Sequence, residues 1–160
     1  NEGVIKKIGI SVYDPLEIEM LISKYDFDII QCPLNIFDRR LIKSGLIYKL
    51  KDLKIEVHVR SIFLQGLLIM PSNKRPDYFK RWKTTFKAYD QFINETKKSP
   101  LEICLNYIKT IPDIDKIIVG VDSCEQLKQI LKIYKINQLD NTIDIESKDE
   151  ELINPGRWMI

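Results

Sequence analysis

Lys54 to Met70 reads KIEVHVRSIFLQGLLIM, and its first half decides the fold. Ile55, Val57 and Val59 alternate with Glu56, His58 and Arg60, so a strand here has one apolar face and one polar or charged face. Central strands of a doubly wound open sheet are apolar on both faces, whereas a polar second face suits the interior of a barrel. The strand ends in Arg60, which has no acid beside it in sequence, and then runs into Ser61 and a turn containing Gly66.

Working outward, the chain repeats a strand-helix unit. Val4 to Val12 (VIKKIGISV) reads as a strand, and Pro15 opens a helix through LEIEMLISKY. Phe27 to Cys32 (FDIIQC) is a second strand, followed after Pro33 by helical spacing of Ile36, Leu41, Ile42, Leu46, Ile47 and Leu50. Beyond the central strand and the loop MPSNKRPD, Tyr78 to Thr96 predicts an amphipathic helix, and Ser99-Pro100 caps another, LEICLNYIKT. Asp115 to Val121 is a fourth strand, and Asp122 or Ser123 can cap the helix CEQLKQILKIYK. Strands alternating with helices, without hairpin signals, predict a parallel sheet covered by helices. The polar face of the third strand favours a piece of a (β/α) barrel over a flavodoxin-like sheet.

Composition bounds the function classes. The 160 residues suit one domain, and 44% hydrophobic with 30% charged residues is an ordinary globular balance. A formal charge of +2, with basic and acidic residues interleaved, argues against nucleic-acid binding. No apolar run has the length of a membrane span and no signal-peptide pattern opens the chain, which together favour the cytoplasm. Cys32, Cys104 and Cys124 lie far apart with no CxxC pair and no histidine at ligand spacing, so reduced thiols and no metal are expected. The chain begins with Asn1 rather than methionine, which suggests a missing upstream segment.

Four segments, IGISVYDP (8–15), DIIQCPLNIFDRR (28–40), VHVRSIFLQGLL (57–68) and IIVGVDSCEQLKQIL (117–131), together resemble the C-terminal half of an aldo/keto reductase. That family is built on an eight-stranded (β/α) barrel and uses NAD(P). The resemblance implies an α/β fold that is half of a (β/α)8 TIM barrel, with four parallel strands alternating with helices in the positions of the family's strands 5 to 8. Residues 1–136 would form the half-barrel, and 137–160, which are acidic and close in NPGRW, an irregular tail.

The resemblance also implies a site. Ser11 and Gln31 match the strand-end residues that hold the nicotinamide carboxamide, although Val12 stands where an Asn is usual. Read from the residues alone, Gln31 is better taken as a rim group satisfied by backbone, and Ser11 is equally a hydroxyl that caps a turn. Arg60 resembles the position beneath the nicotinamide, and its planar guanidinium could lie against the cofactor ring or pair with its pyrophosphate. The alternative is an interior ion pair with Glu56 or with an acid from a neighbouring strand. Ser61, Phe63, Gln65 and Gly66 resemble the phosphate-facing loop. Gly120, Ser123 and Gln126 resemble the loop and helix start that receive the adenosine phosphate on free backbone N–H groups. Asp122 is a poor neighbour for a 2′-phosphate, which leaves NAD or NADP open as the cofactor. Ile130 departs from an Asn often found near the adenine.

No catalytic residue is assigned. The family's Asp, Tyr, Lys and His belong to the first half of its barrel, and the sole histidine, His58, is expected to be structural. The expected function is thus the cofactor-binding half of an NAD(P)-dependent oxidoreductase acting on a small carbonyl substrate, inactive by itself. Its partner would be the missing N-terminal half or a second copy of the chain as a homodimer. The alternative is a non-catalytic half-barrel that self-associates and binds a nucleotide or a protein.

Overall fold

A computed structural model describes residues 3–136 and 143–159. Four parallel strands form one sheet in the order β1 (Gly9–Ser11), β2 (Ile29–Pro33), β3 (Glu56–Arg60) and β4 (Lys116–Ile117). Between and after them run α1 (Pro15–Ile22), α2 (Arg40–Lys43), α3 (Leu46–Asp52), α4 (Lys83–Thr96), α5 (Pro100–Lys109), α6 (Cys124–Tyr134) and α7 (Glu150–Ile153). The architecture is a half-barrel, four parallel strands alternating with helices, as the sequence predicts.

The alternation in the central strand sets the two faces. Val57 and Val59 are fully buried under the helices, together with Ile30 and Cys32 of β2. On the other face Glu56, His58 and Arg60 remain partly exposed, in register with Ile29, Gln31 and Pro33. Burial also pushes the Cys32 and Cys104 thiols up to about 12, so neither carries thiolate at neutral pH, while Cys124 is exposed at the start of α6. Gly9 is required by close approach: a Cβ there would lie 2.6 Å from the Ile29 carbonyl oxygen.

Helix ends follow the sequence signals. Asp14 caps α1 ahead of Pro15, Ser99 and Glu102 form a reciprocal capping box on α5, and Ser123 caps α6. Several boundaries differ from expectation, beginning with the first strand, which covers Gly9–Ser11 rather than Val4 to Val12. The helical pattern of 36–50 is two short helices, because Gly45 at φ 76° stops α2 and starts α3. The first turns of the helix expected from Tyr78 are 3-10, over Asp77–Trp82, before α4 begins. The fourth strand is only two residues long, with hydrogen bonds to β3 alone, since no strand pairs with its other side among the described residues.

The segment after α6, expected to be irregular, carries α7 in its described part; residues 137–142 lie outside the described residues. Leu152 and Ile153 are buried, Trp82 Nε1 donates to Asp149 at 2.9 Å, and Trp158 packs edge-on against Phe79 at 4.8 Å. Tertiary burial therefore stabilises a helix too short to form alone.

The short edge strand is held by Asp115. Its carboxylate accepts from the Val57 N–H at 2.7 Å and from Lys51 Nζ at 2.9 Å. Burial opposes ionisation of Asp115, but the Val57 and Lys51 hydrogen bonds outweigh it and hold the carboxyl below its usual value. A depressed folded-state pKa gives stability that is complete above the unfolded value of about 3.9 and fades as pH falls through the folded value. Asp115→Asn should therefore lower the denaturation midpoint at neutral pH, with the gap from the parent protein closing under acid conditions. Urea titrations across the acid range check this.

Candidate functional site

At the C-terminal ends of the strands, side chains from three strands and two loops meet. Ser11 Oγ donates to Gln31 Oε1 at 3.4 Å, across the β1–β2 register. Arg60 Nε donates to Ser11 Oγ at 3.3 Å, and its two terminal nitrogens donate to Ser61 Oγ at 3.3 Å and to the Val12 carbonyl at 3.2 Å. The guanidinium carbon lies 4.0 Å from the Tyr13 ring centroid. Arg60 thus has hydroxyl, carbonyl and ring partners, and no carboxylate partner among the described residues.

The ion pair with Glu56 weighed from sequence does not form. Glu56 instead accepts from Lys7 and pairs with His58 Nε2 at 3.2 Å. Those hydrogen bonds, from Lys7 first and His58 second, hold the Glu56 carboxyl below its usual range. Arg60 lies four residues beyond Glu56 on the same face, toward the open end of the half-barrel.

Beside Arg60 lies a groove of about 660 Å³. One wall is the loop after β3, with Ser61, Phe63, Gln65 and Gly66; the other is the segment after β4 and the start of α6, with Gly120, Asp122 and Gln126. Chain segments roughly sixty residues apart in sequence therefore share one cleft. Ser123 sits at its α6 end as the helix cap, and Ser11 and Gln31 reach the site through Arg60. The structure brings all ten sequence-selected residues to one end of the sheet. Sequence reasoning gave Tyr13 only a surface or packing role and missed Leu101 and Gln129; the i, i+3 spacing of Gln126 and Gln129 was the available signal for the last.

The loop after β3 is conformationally unusual. Ser61, Leu64 and Gln65 all adopt left-handed backbone angles, followed by Gly66 at φ 82°. Each non-glycine residue there costs on the order of 1–2 kcal/mol. Burial of Ile62, Leu64, Leu67 and Leu68 offsets that cost, as does the Tyr89 hydroxyl, which donates to the Leu68 carbonyl at 3.0 Å. The other support is Asn35, buried in the turn after β2. Its Oδ1 accepts from the Phe37 and Asp38 N–H groups at 2.9 Å each, and its Nδ2 donates to the Ser61 carbonyl at 3.2 Å. Arg40 fixes the neighbouring loop by pairing with buried Asp38 at 2.9 Å and with Glu150 at 3.0 Å.

At the α6 end the polar groups are largely occupied by the chain itself. Ser123 Oγ accepts from the Gln126 N–H at 3.2 Å, and Gln126 Oε1 accepts from the Asp122 N–H at 2.7 Å. The Leu127 N–H is bonded to the Ser123 carbonyl. Fewer N–H groups are open to an anion here than the sequence alone suggests.

The profile of the aldo/keto reductase family matches residues 1–146. The chain belongs to the aldo/keto reductase family. Its fold is similar to that of an aldo-keto reductase from Bacillus halodurans. The holo form aligns at a TM-score of 0.68 and 22% identity, over 86% of this chain and 47% of that one. The apo form aligns at 0.70 and 20%, over 92% and 55%. A thermostable aldo-keto reductase solved with the inhibitor epalrestat aligns at 0.61 and 20%, over 87% and 46%. The chain spans about half the length of the solved structures it matches. No curated protein matches it. Among the described residues no group of side chains is suited to hold a metal ion, and no helix is long and apolar enough to cross a membrane.

Asn35→Ala tests whether the turn after β2 supports the groove. It would leave two buried N–H groups unsatisfied and cost on the order of 2–4 kcal/mol. Asn35→Asp keeps the acceptor but sets a buried carboxylate against the Ser61 carbonyl and near Asp38, and should cost at least as much. Chemical denaturation of both variants gives the comparison.

Proposed function

We propose that this chain is the cofactor-holding half of an NAD(P)-dependent aldo/keto reductase-like oxidoreductase, contributing the later four strands of the barrel. The observation that carries the reading is Arg60 at the rim of the groove. It is a permanent cation oriented by Ser11, Val12, Ser61 and Tyr13, with no carboxylate partner among the described residues. A guanidinium so placed suits an anionic ligand or the face of a planar ring.

The groove fits such a ligand in other respects. Its volume of about 660 Å³ suits an extended small molecule, and its lining mixes apolar side chains with a few convergent polar groups. Gly66 and Gly120 have open space where a side chain would otherwise project. A bound nicotinamide cofactor would supply hydride chemistry. Gln31 and Ser11 would orient its carboxamide, Arg60 would hold its ring or pyrophosphate, and Ser61 through Gly66 would line its phosphates. The residues that deliver a proton to a small carbonyl substrate would come from a segment outside this chain.

A second reading is favoured by the sheet margins. Neither β1 nor β4 pairs with a further strand among the described residues, and both margins expose apolar side chains: Leu16 and Met20 on α1, Leu127 and Leu131 on α6. Open edges of this kind favour association, so a second copy of the chain could cover them in a non-catalytic dimer.

Two measurements separate the readings. The 160-residue chain should bind NADH or NADPH yet show no cofactor oxidation with an aldehyde, and Arg60→Gln should weaken binding by about tenfold. Light scattering reports the mass. A dimer that binds no dinucleotide would favour the second reading, and turnover by the isolated chain would refute the assignment of chemistry to another segment.

A further inference from the structure

The exposed apolar surface of the chain is concentrated at the two open margins of the sheet. Residues 4–28 carry β1 and α1, and residues 116–136 carry β4 and α6. Together they are under a third of the sequence, yet they hold thirteen of the seventeen exposed large apolar side chains among the described residues. On α1 these include Leu16 and Met20, one turn apart, and on α6 Leu127, Leu131 and Tyr134, which share a stripe. The α6 stripe, with Ile117 and Val119, also lines a second groove of about 560 Å³. Such margins, beside strands with an unpaired edge, burden a lone half-barrel with both apolar exposure and open backbone groups.

Charge indicates what covers them. Residues 4–28 contain five acids and three lysines, and residues 116–136 contain four lysines and two acids, so the margins carry net charges of −2 and +2. Glu17 beside Leu16 and Lys128 beside Leu127 are exposed, and neither is in an ion pair among the described residues. The complement of each margin is therefore the other margin of the same chain, and a sheet of four strands cannot bring its own two margins together. We propose that two copies close on each other about a two-fold axis, with β1 and α1 of each meeting β4 and α6 of its partner in two identical seams. All strands of one copy are parallel, so rotation about the barrel axis keeps the new pairs parallel and gives a ring of eight. The Lys7–Glu56 pair on the concave face lies within one copy, so enclosure leaves it intact. The inference rests on the second-copy reading above and adds which surfaces meet; association through like margins would set the acidic margin against itself.

The experiment is a sedimentation concentration series on the parent chain, Glu17→Lys, Lys128→Glu and an equimolar mixture of the two variants. Reductant keeps exposed Cys124 from forming a disulfide between copies. The parent should be a dimer. Each variant sets like charges against each other in both seams and should dimerise about tenfold more weakly. The mixture should regain the parent affinity, since a lysine at 17 then meets a glutamate at 128 in one seam and the native pair remains in the other. Loss of fold in one chain could not be repaired by mixing, and circular dichroism checks the fold of each variant directly. Leu131→Glu, which places an acid in the α6 stripe, should weaken the dimer further and serves as a second route if either charge variant unfolds. A parent dimer indifferent to all three substitutions, a mixture that stays weak or becomes tighter than the parent, or assembly beyond two copies would overturn the pairing of unlike margins while leaving the second-copy reading standing. A parent chain that stays monomeric at every concentration would overturn both.

Discussion

The half-barrel depends on β3 being hydrogen-bonded on both sides while its two faces meet opposite environments. Its pairing with β2 runs the full five residues, and its pairing with β4 supplies the only strand partner that β4 has among the described residues. Val57 and Val59 bury the face beneath the helices. With that face committed, the pleat directs Glu56, His58 and Arg60 to the concave side, so a one-residue slip would place charges in the core. The register therefore fixes where Arg60 emerges, and with it the position of the groove.

Around that strand the energetic conflict is concentrated in one loop. A chain that leaves β3 through three left-handed non-glycine residues would not hold that path by local preference. Leucines anchored in the core pull the loop down, and Asn35 ties its first carbonyl to the turn after β2. Strain is thus opposed by burial and by a polar side chain from another segment, which is how a loop can remain rigid beside a cleft. Arg40, joining Asp38 to Glu150, extends the same logic to α7.

The concave face is more polar than the interior of an ordinary barrel, where branched apolar side chains dominate. Glu56 is paired with Lys7 and bonded to His58 near its base, leaving Arg60 to face the rim. This separation explains why an arginine near a glutamate in sequence does not pair with it: Glu56 and Arg60 share a face but stand four residues, roughly 13 Å, apart along the strand, so Glu56 reaches His58 and not Arg60.

Much of this was legible in the residue pattern. The alternation of KIEVHVRS, the capping signals at Asp14, Ser99 and Ser123, and the strand-helix repeat carry the local information that makes a parallel, helix-covered sheet, because each depends on neighbours within a few positions. The ten candidate residues were selected by resemblance to a family, and their meeting at one end of the sheet follows from strand order. Contacts between distant segments were beyond the sequence: the bonds of Arg60 to Ser11 and Val12, the clamp of Asn35 on Ser61 and the docking of α7. Such contacts depend on where the chain returns in space. The sequence determined which face of each strand is apolar, since that requires only a period of two; the tertiary structure alone decided which polar groups remain available to a ligand, since that depends on every donor and acceptor folded against them.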